Sequence, residues 1–225
     1  MFEKRILLLG LDNAGKTSIL FQMRDNQFKQ TVPTIGLNIE SLTHKRYMMT
    51  LWDVGGQATK LWKHYFDKID GIVFVIDSTD EEKLLFARDE FNRLLRDESL
   101  TLIPFLILYN KSDMAEKSRS VEELNGRLDV EKARKEREIA VNKCSAQTGE
   151  GIWEGIDLLI EIFERRKNGA HLFPDLANQS QQQEDKSISK SLGMIKSSVA
   201  QDSENGGISV KETKMSTGRD NVKEQ

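Results

Sequence analysis

Four apolar residues, Ile6-Leu7-Leu8-Leu9, run directly into Gly10-Leu11-Asp12-Asn13-Ala14-Gly15-Lys16-Thr17. The second segment meets the pattern G-x-x-x-x-G-K-[S/T] at every specified position. A short apolar run of this kind reads as a buried strand, and a helix is expected to begin near Gly15. Gly10 and Gly15 let the backbone wrap tightly, so that the amides of Asn13, Ala14, Gly15, Lys16, Thr17 and Ser18 can point inward at an anion. The positive end of the following helix adds to that field. Lys16 supplies a full charge for the β- and γ-phosphates of a nucleotide, and the Thr17 hydroxyl is an oxygen ligand for Mg²⁺. The bland alternative, a chance glycine turn, is weakened by the complete pattern between strand and helix. At this point ATP, GTP and kinase-type roles all stay open.

The rest of the chain up to about Lys167 alternates buried strands with amphipathic helices. "RILLLG", "GIVFVID", "IPFLILYN" and "IAVNKC" are short and continuously apolar, as strands covered on both faces of a parallel sheet are. In "EEKLLFARDEFNRLLRDE" and "GIWEGIDLLIEIFERRK" the apolar residues recur every three or four positions. "GLNIESL" and "YMMTLW" read as a hairpin about the polar turn "THKR". The fold class is therefore α/β, with helices on both faces of the sheet. From Asn168 the composition turns to Ser, Gln, Lys, Asn and Glu. Such a stretch cannot bury enough apolar surface to offset its ordering entropy. Two regions are expected: a domain over 1–167 and a disordered polar tail over 168–225.

Two further segments choose the nucleotide. Asn110-Lys111-Ser112-Asp113 stands at the end of a buried strand, where ligands bind in α/β sheets. The Asp113 carboxylate can accept from guanine N1–H and N2–H₂, a donor pair that adenine lacks on that edge. Asn110 can bridge base and phosphate loop, and the Lys111 stem can lie over the ring. In "CSAQTGEG", Ser145 and Ala146 follow the last strand, and the Ala146 amide is a candidate donor to guanine O6. These point to GTP and GDP and disfavour an ATP-using protein. In "WDVGGQ", Asp53 is placed to hold Mg²⁺ through water, Gly56 to offer its amide to the γ-phosphate, and Gln57 to orient an attacking water. Thr34, in "TVPTIGLN", is a candidate Mg²⁺ ligand that only a triphosphate would hold in place. Two loops that touch the γ-phosphate are both released on hydrolysis, which is the physics of a switch.

With these segments assembled, the chain resembles the small GTPases, and within them the Arf and Arf-like family. "GLDNAGKTSIL", "TVPTIGLNIE", "LWDVGGQ", "LWKHYF", "GIVFVIDSTD", "NKSD" and "CSAQTGEGIWEGIDLL" stand where that family has its motifs, over roughly residues 3 to 167. The resemblance implies a P-loop small G domain: a six-stranded sheet, five strands parallel and one antiparallel, with about five helices. It implies a GTP- and Mg²⁺-binding switch with slow hydrolysis, in which Gln57 and Lys16 are catalytic, acting in vesicle, ciliary or cytoskeletal trafficking. It also implies exchange factors, GTPase-activating proteins and effectors as partners, and a hairpin, Leu37 to Trp52, that shifts register with nucleotide state. The alternative is a GTP-binding interaction module with little or no hydrolysis; the presence of Gln57 favours the enzyme. The sequence departs from the family pattern in places. Four residues, not six, separate Gln57 from Trp62, and Ser112 replaces a common Gln. The first strand begins almost at Met1, without an amphipathic helix ahead of it, and the polar tail is not a family feature.

Bulk properties narrow the setting. The net charge of −3 argues against a dedicated nucleic-acid binder. A single cysteine, Cys144, excludes an internal disulfide. No stretch approaches the about 18 apolar residues of a membrane span. Phe2 in place of Gly and a terminus without cysteine give no acylation or prenylation signal. A cytoplasmic monomer is expected, associated with membranes at most through partners. Trp52, Trp62 and Tyr65 can be core packing or an effector patch, with Trp62 favoured for the latter. Asp12 is expected to point away from the γ-phosphate. His44, His64 and His171 read as surface or packing residues, and Cys144 as a small buried one. "DVEKARKEREI" is most simply a solvated helix face.

Overall fold

In the computed structural model, residues 1–169 except Ala58 are described. Strands β1 (Phe2–Leu9), β2 (Leu37–His44), β3 (Tyr47–Val54), β4 (Gly71–Asp77), β5 (Phe105–Asn110) and β6 (Ile139–Lys143) form one sheet in the order β2-β3-β1-β4-β5-β6. Only β2 runs antiparallel to its neighbour; the other pairings are parallel. The hairpin forms where the sequence indicated, with Leu37 opposite Val54 and His44 opposite Tyr47. Its turn uses Lys45 at a φ of 52°. The helices are α1 (Lys16–Asp25), α2 (Glu81–Leu95), α3 (Val121–Arg127), α4 (Val130–Ala133) and α5 (Ile152–Lys167), with a 3₁₀ segment at Thr59–Tyr65.

Strand alternation sorts the core into two layers. Ile6 and Leu8 face α1 and α5, where Ile19, Leu20, Ile156, Leu159 and Phe163 are buried with them. Leu7 and Leu9 face the other side, with Trp62, Leu84, Phe91, Leu124 and Val130. Both faces are therefore covered, which is why the central strands read as unbroken apolar runs. β1 lies between β3 and β4, so the chain leaves it in one direction and later returns on the other side. Ligands of α/β sheets bind outside the strand ends at such a switch point.

Two expectations are corrected by packing. Trp62, favoured for an effector surface, is fully buried. Its indole donates to the Gly55 carbonyl at 3.1 Å and meets Phe74 edge-on at 6.4 Å between centroids. Residues 129–139 do not form a solvated helix face. Only the one turn of α4 is helical; Glu138 is buried and paired with Arg166, and Arg137 donates to the carbonyls of Leu95 and Thr101. Trp52 packs under the Arg5 guanidinium, 3.6 Å from its ring centroid, and against the edge of Tyr65. His44 bonds Asp157 at 2.7 Å and stacks on Trp153, while His64 is exposed. His171 and the tail beyond Gly169 lie outside the described residues.

Candidate nucleotide-binding site

All the motifs meet at one edge of the sheet, because parallel strands end together. A cleft of about 290 Å³ there is lined by Asp12, Asn13, Gly15, Lys16, Thr17 and Ser18 at one side. Thr34, Gly56 and Gln57 close the second side, and Asn110, Lys111, Asp113 and Ala146 the third. Ala14 and Ser145 are buried behind this lining. No arginine stands among the described residues that line it.

The phosphate loop has the backbone its glycines allow. Gly10 has a φ of 142°, and a Cβ on it would lie 2.2 Å from the Val75 carbonyl oxygen. Gly15 has a φ of 94°, and a Cβ there would lie 2.2 Å from Asn110 Nδ2. No side chain caps α1, so the amides of its first turn are left to a ligand. Lys16 is buried and its ammonium donates to the carbonyls of Gly10 and Leu11 at 2.8 and 2.9 Å. Burial lowers its pKa to about 8, against the pull of Asp53 and Asp12 in the other direction. An anion in the cleft restores what that burial takes from the ammonium.

At the base end, Asn110 donates to the Ala14 carbonyl at 2.8 Å, the bridge to the phosphate loop that the sequence suggested. The Ala146 amide, the candidate donor to guanine O6, donates to Asn110 Oδ1 at 2.9 Å. Asn110 thus holds both loops at once. Ser145 donates to Asp113 Oδ1 at 2.5 Å and accepts from the Gln147 and Thr148 amides, which fixes the carboxylate's direction. Lys111 pairs with buried Asp77 at 2.6 Å. Phe28, half-exposed, also lines the cleft. Sequence reasoning passed over it, although an aromatic in the polar stretch "DNQFKQT" was a signal.

At the other end, three oxygens converge. Thr17 Oγ1 donates to Asp53 Oδ2 at 2.6 Å and lies 2.8 Å from Thr34 Oγ1. Asn38 donates to the same carboxylate oxygen at 3.1 Å. Asp53 is fully buried, and its Oδ1 has no hydrogen-bond partner. Asp53 Oδ2 beside the Thr17 and Thr34 hydroxyls is an oxygen donor set that suits Mg²⁺. That cation needs only one or two carboxylates when phosphates complete its shell. Asp12 points away toward Lys83, at 2.9 Å.

The model of the ADP-ribosylation factor family, Arf, matches residues 2–163. The chain belongs to the ADP-ribosylation factor family. The Arf-family relative "ADP-ribosylation factor K" of Dictyostelium discoideum is 41% identical over 157 residues, covering 69% of this chain and 82% of the relative. The structure of the Arl6 BBS3 small GTPase from Trypanosoma brucei, with bound nucleotide analogue GppNp, is similar at a TM-score of 0.65 and 31% identity. That likeness covers 72% of this chain and 98% of the other. As an Arf-family small GTPase, the protein is a guanine-nucleotide switch that hydrolyses GTP to GDP. Exchange factors, activating proteins and effectors are the general partners of such a switch. No described helix is long and apolar enough to cross a membrane.

Proposed function

We propose that the cleft binds GTP with Mg²⁺, hydrolyses it slowly, and reports the γ-phosphate through Thr34 and Gln57. The observation that carries this reading is the contact of Thr34 with Thr17 at 2.8 Å, both hydroxyls beside the same Asp53 carboxylate. It ties the loop after α1 to the phosphate loop and to the end of β3. Thr17, Thr34 and Asp53 would hold the cation, which supplies charge stabilisation on the phosphate oxygens when bound. The amides at the start of α1 and the Lys16 ammonium bind the phosphates. Gln57, exposed at the rim, orients a water for in-line attack on the γ-phosphorus; the bond to the β-phosphate oxygen breaks and GDP is left. Among the described residues the cleft presents no arginine, so turnover alone is slow. An arginine supplied by an activating protein accelerates it by up to about 10⁵-fold. Asp113 reads guanine, with Asn110, Lys111, Ser145 and Ala146 shaping its pocket.

We place this switch in the cytoplasm as a monomer, at membranes through its partners, in intracellular trafficking. The domain is residues 1–167. Thr17→Asn tests the site directly. It removes a hydroxyl from the set that would hold the cation and should weaken GTP more than GDP, because the cation would offset the extra negative charge of the triphosphate. Competition against a fluorescent nucleotide in saturating Mg²⁺ measures this. Unchanged GTP affinity would remove Thr17 from the cation site.

A further inference from the structure

Lys83 belongs to none of the motifs, yet its ammonium reaches the phosphate loop. It stands in the first turn of α2, where its own amide donates to the Asp80 cap at 3.0 Å. Its Nζ donates to Asp12 Oδ2 at 2.9 Å and to the Asp12 carbonyl at 2.9 Å. One cation therefore holds both the side chain and the backbone of a single loop residue. The next residue, Asn13, has a φ of 62°, in the left-handed region that few side chains favour. On the other side of Asp12 lies Gly56. A Cβ on Gly56 would be 2.3 Å from the Asp12 nitrogen, so the segment carrying Gln57 rests directly on this part of the loop.

We propose that Lys83 is a positioning residue for triphosphate binding: it holds the Asp12 carboxylate away from the anion site and cancels its charge. The inference rests on the nucleotide reading above. Lys16 and Lys83 each bring one positive charge to the loop and Asp12 one negative charge, so the balance favours an anion. Removing Lys83 takes that balance to zero. It also frees a carboxylate beside the phosphates, and the resulting repulsion grows with the charge of the ligand. GTP therefore suffers more than GDP. A lysine that only stapled α2 to the loop would, on removal, weaken both nucleotides alike.

The test compares Lys83→Met, Lys83→Arg, Asp12→Asn and the Lys83→Met/Asp12→Asn double variant, as full chains, by competition of GppNp and GDP against a fluorescent nucleotide. Lys83→Met should weaken GppNp about tenfold and GDP no more than about threefold, the scale of a charged contact. Lys83→Arg, which keeps the charge and the donors, should restore the wild-type ratio. In the Asp12→Asn background, Lys83→Met should shift the ratio less than it does in the wild-type background, since no carboxylate is freed beside the phosphates. Asp12→Asn alone should raise GppNp relative to GDP, and it keeps the proposal falsifiable if Lys83→Met does not fold. Equal losses for both nucleotides, an unchanged response in the Asp12→Asn background, or a fall in the ratio for Asp12→Asn would overturn the role of Lys83. Failure of the wild type to bind either nucleotide would instead overturn the nucleotide reading.

Discussion

At the base end of the cleft, Asn110 and Ser145 are almost wholly buried and every loop they join is hydrogen-bonded to another. At the γ-phosphate end, Gln57 is exposed, Val32 is 83% exposed and Ile35 is 97% exposed. The base end is held by its own packing: Asn110 spans two loops, and Gly15 fits under it only because it lacks a Cβ. The other end is held by a few contacts, Thr34 on Thr17, Asn38 on Asp53, and the Gly55 amide on the Gly36 carbonyl at 3.1 Å. Segments with few buried contacts open at low cost, and elements that move are drawn from them. A switch needs both kinds of construction. On the proposed reading, the first would keep affinity for guanine constant and the second would express the difference between GTP and GDP.

The largest effect expected on this contrast is at Gln57. Gln57→Leu leaves the base end untouched, so GDP and GTP affinities should stay near wild type, while turnover stimulated by an activating protein falls by about 10³-fold or more. Single-turnover hydrolysis measures it. Equal stimulated rates would mean that the exposed end does not carry the chemistry.

The next effect lies at the base end. Asp113→Asn removes a carboxylate placed to accept two charge-assisted hydrogen bonds. It should cost GDP at least about tenfold in affinity. Its amide can donate where the carboxylate only accepted, so xanthosine diphosphate should gain. Competition among GDP, XDP and ADP decides it; a mutant that gains nothing for XDP would show that Asp113 does not read the base edge.

The smallest effect probes whether the base end stays shut. Burial, with a contribution from Asp113, pushes the Cys144 thiol up to about 12. An unfolded cysteine titrates near 8.5. Between these values the unfolded chain binds fewer protons than the folded one, so stability falls as pH rises. From pH 8 to pH 9 the loss from this group should be about 0.7 kcal/mol. It should be absent in Cys144→Ala, as read from denaturant midpoints at the two pH values. Identical slopes for both proteins would mean that water reaches the thiol and that the base end is looser than its contacts imply.

Much of this architecture was legible locally. The phosphate loop, the buried strands and the hairpin are each signalled by adjacent residues, and the structure brings their candidate site residues to one cleft. What escaped depends on distance in sequence. Lys83 meets Asp12 across 71 residues, and Arg166 meets Glu138 across 28. No periodicity announces such pairs, so the run containing Arg137 and Glu138 reads as solvated when it is in fact partly buried. Trp62 misled for a related reason. An aromatic in a short polar segment looks available to a partner until the 3₁₀ turn rotates it onto Phe74.

The Arg166–Glu138 pair has a further consequence at the opposite pole of the sheet. Arg166 also donates to the Leu102 carbonyl at 2.6 Å, which fastens the last turn of α5 to the loops that precede β5 and β6. Five to six strand residues at about 3.3 Å each separate that pole from the cleft. The last turn of α5 is therefore a moored point some two nanometres from the cleft. Whatever pulls on the end of α5 would load the Arg166 contacts with Glu138 and Leu102 before it reached the cleft.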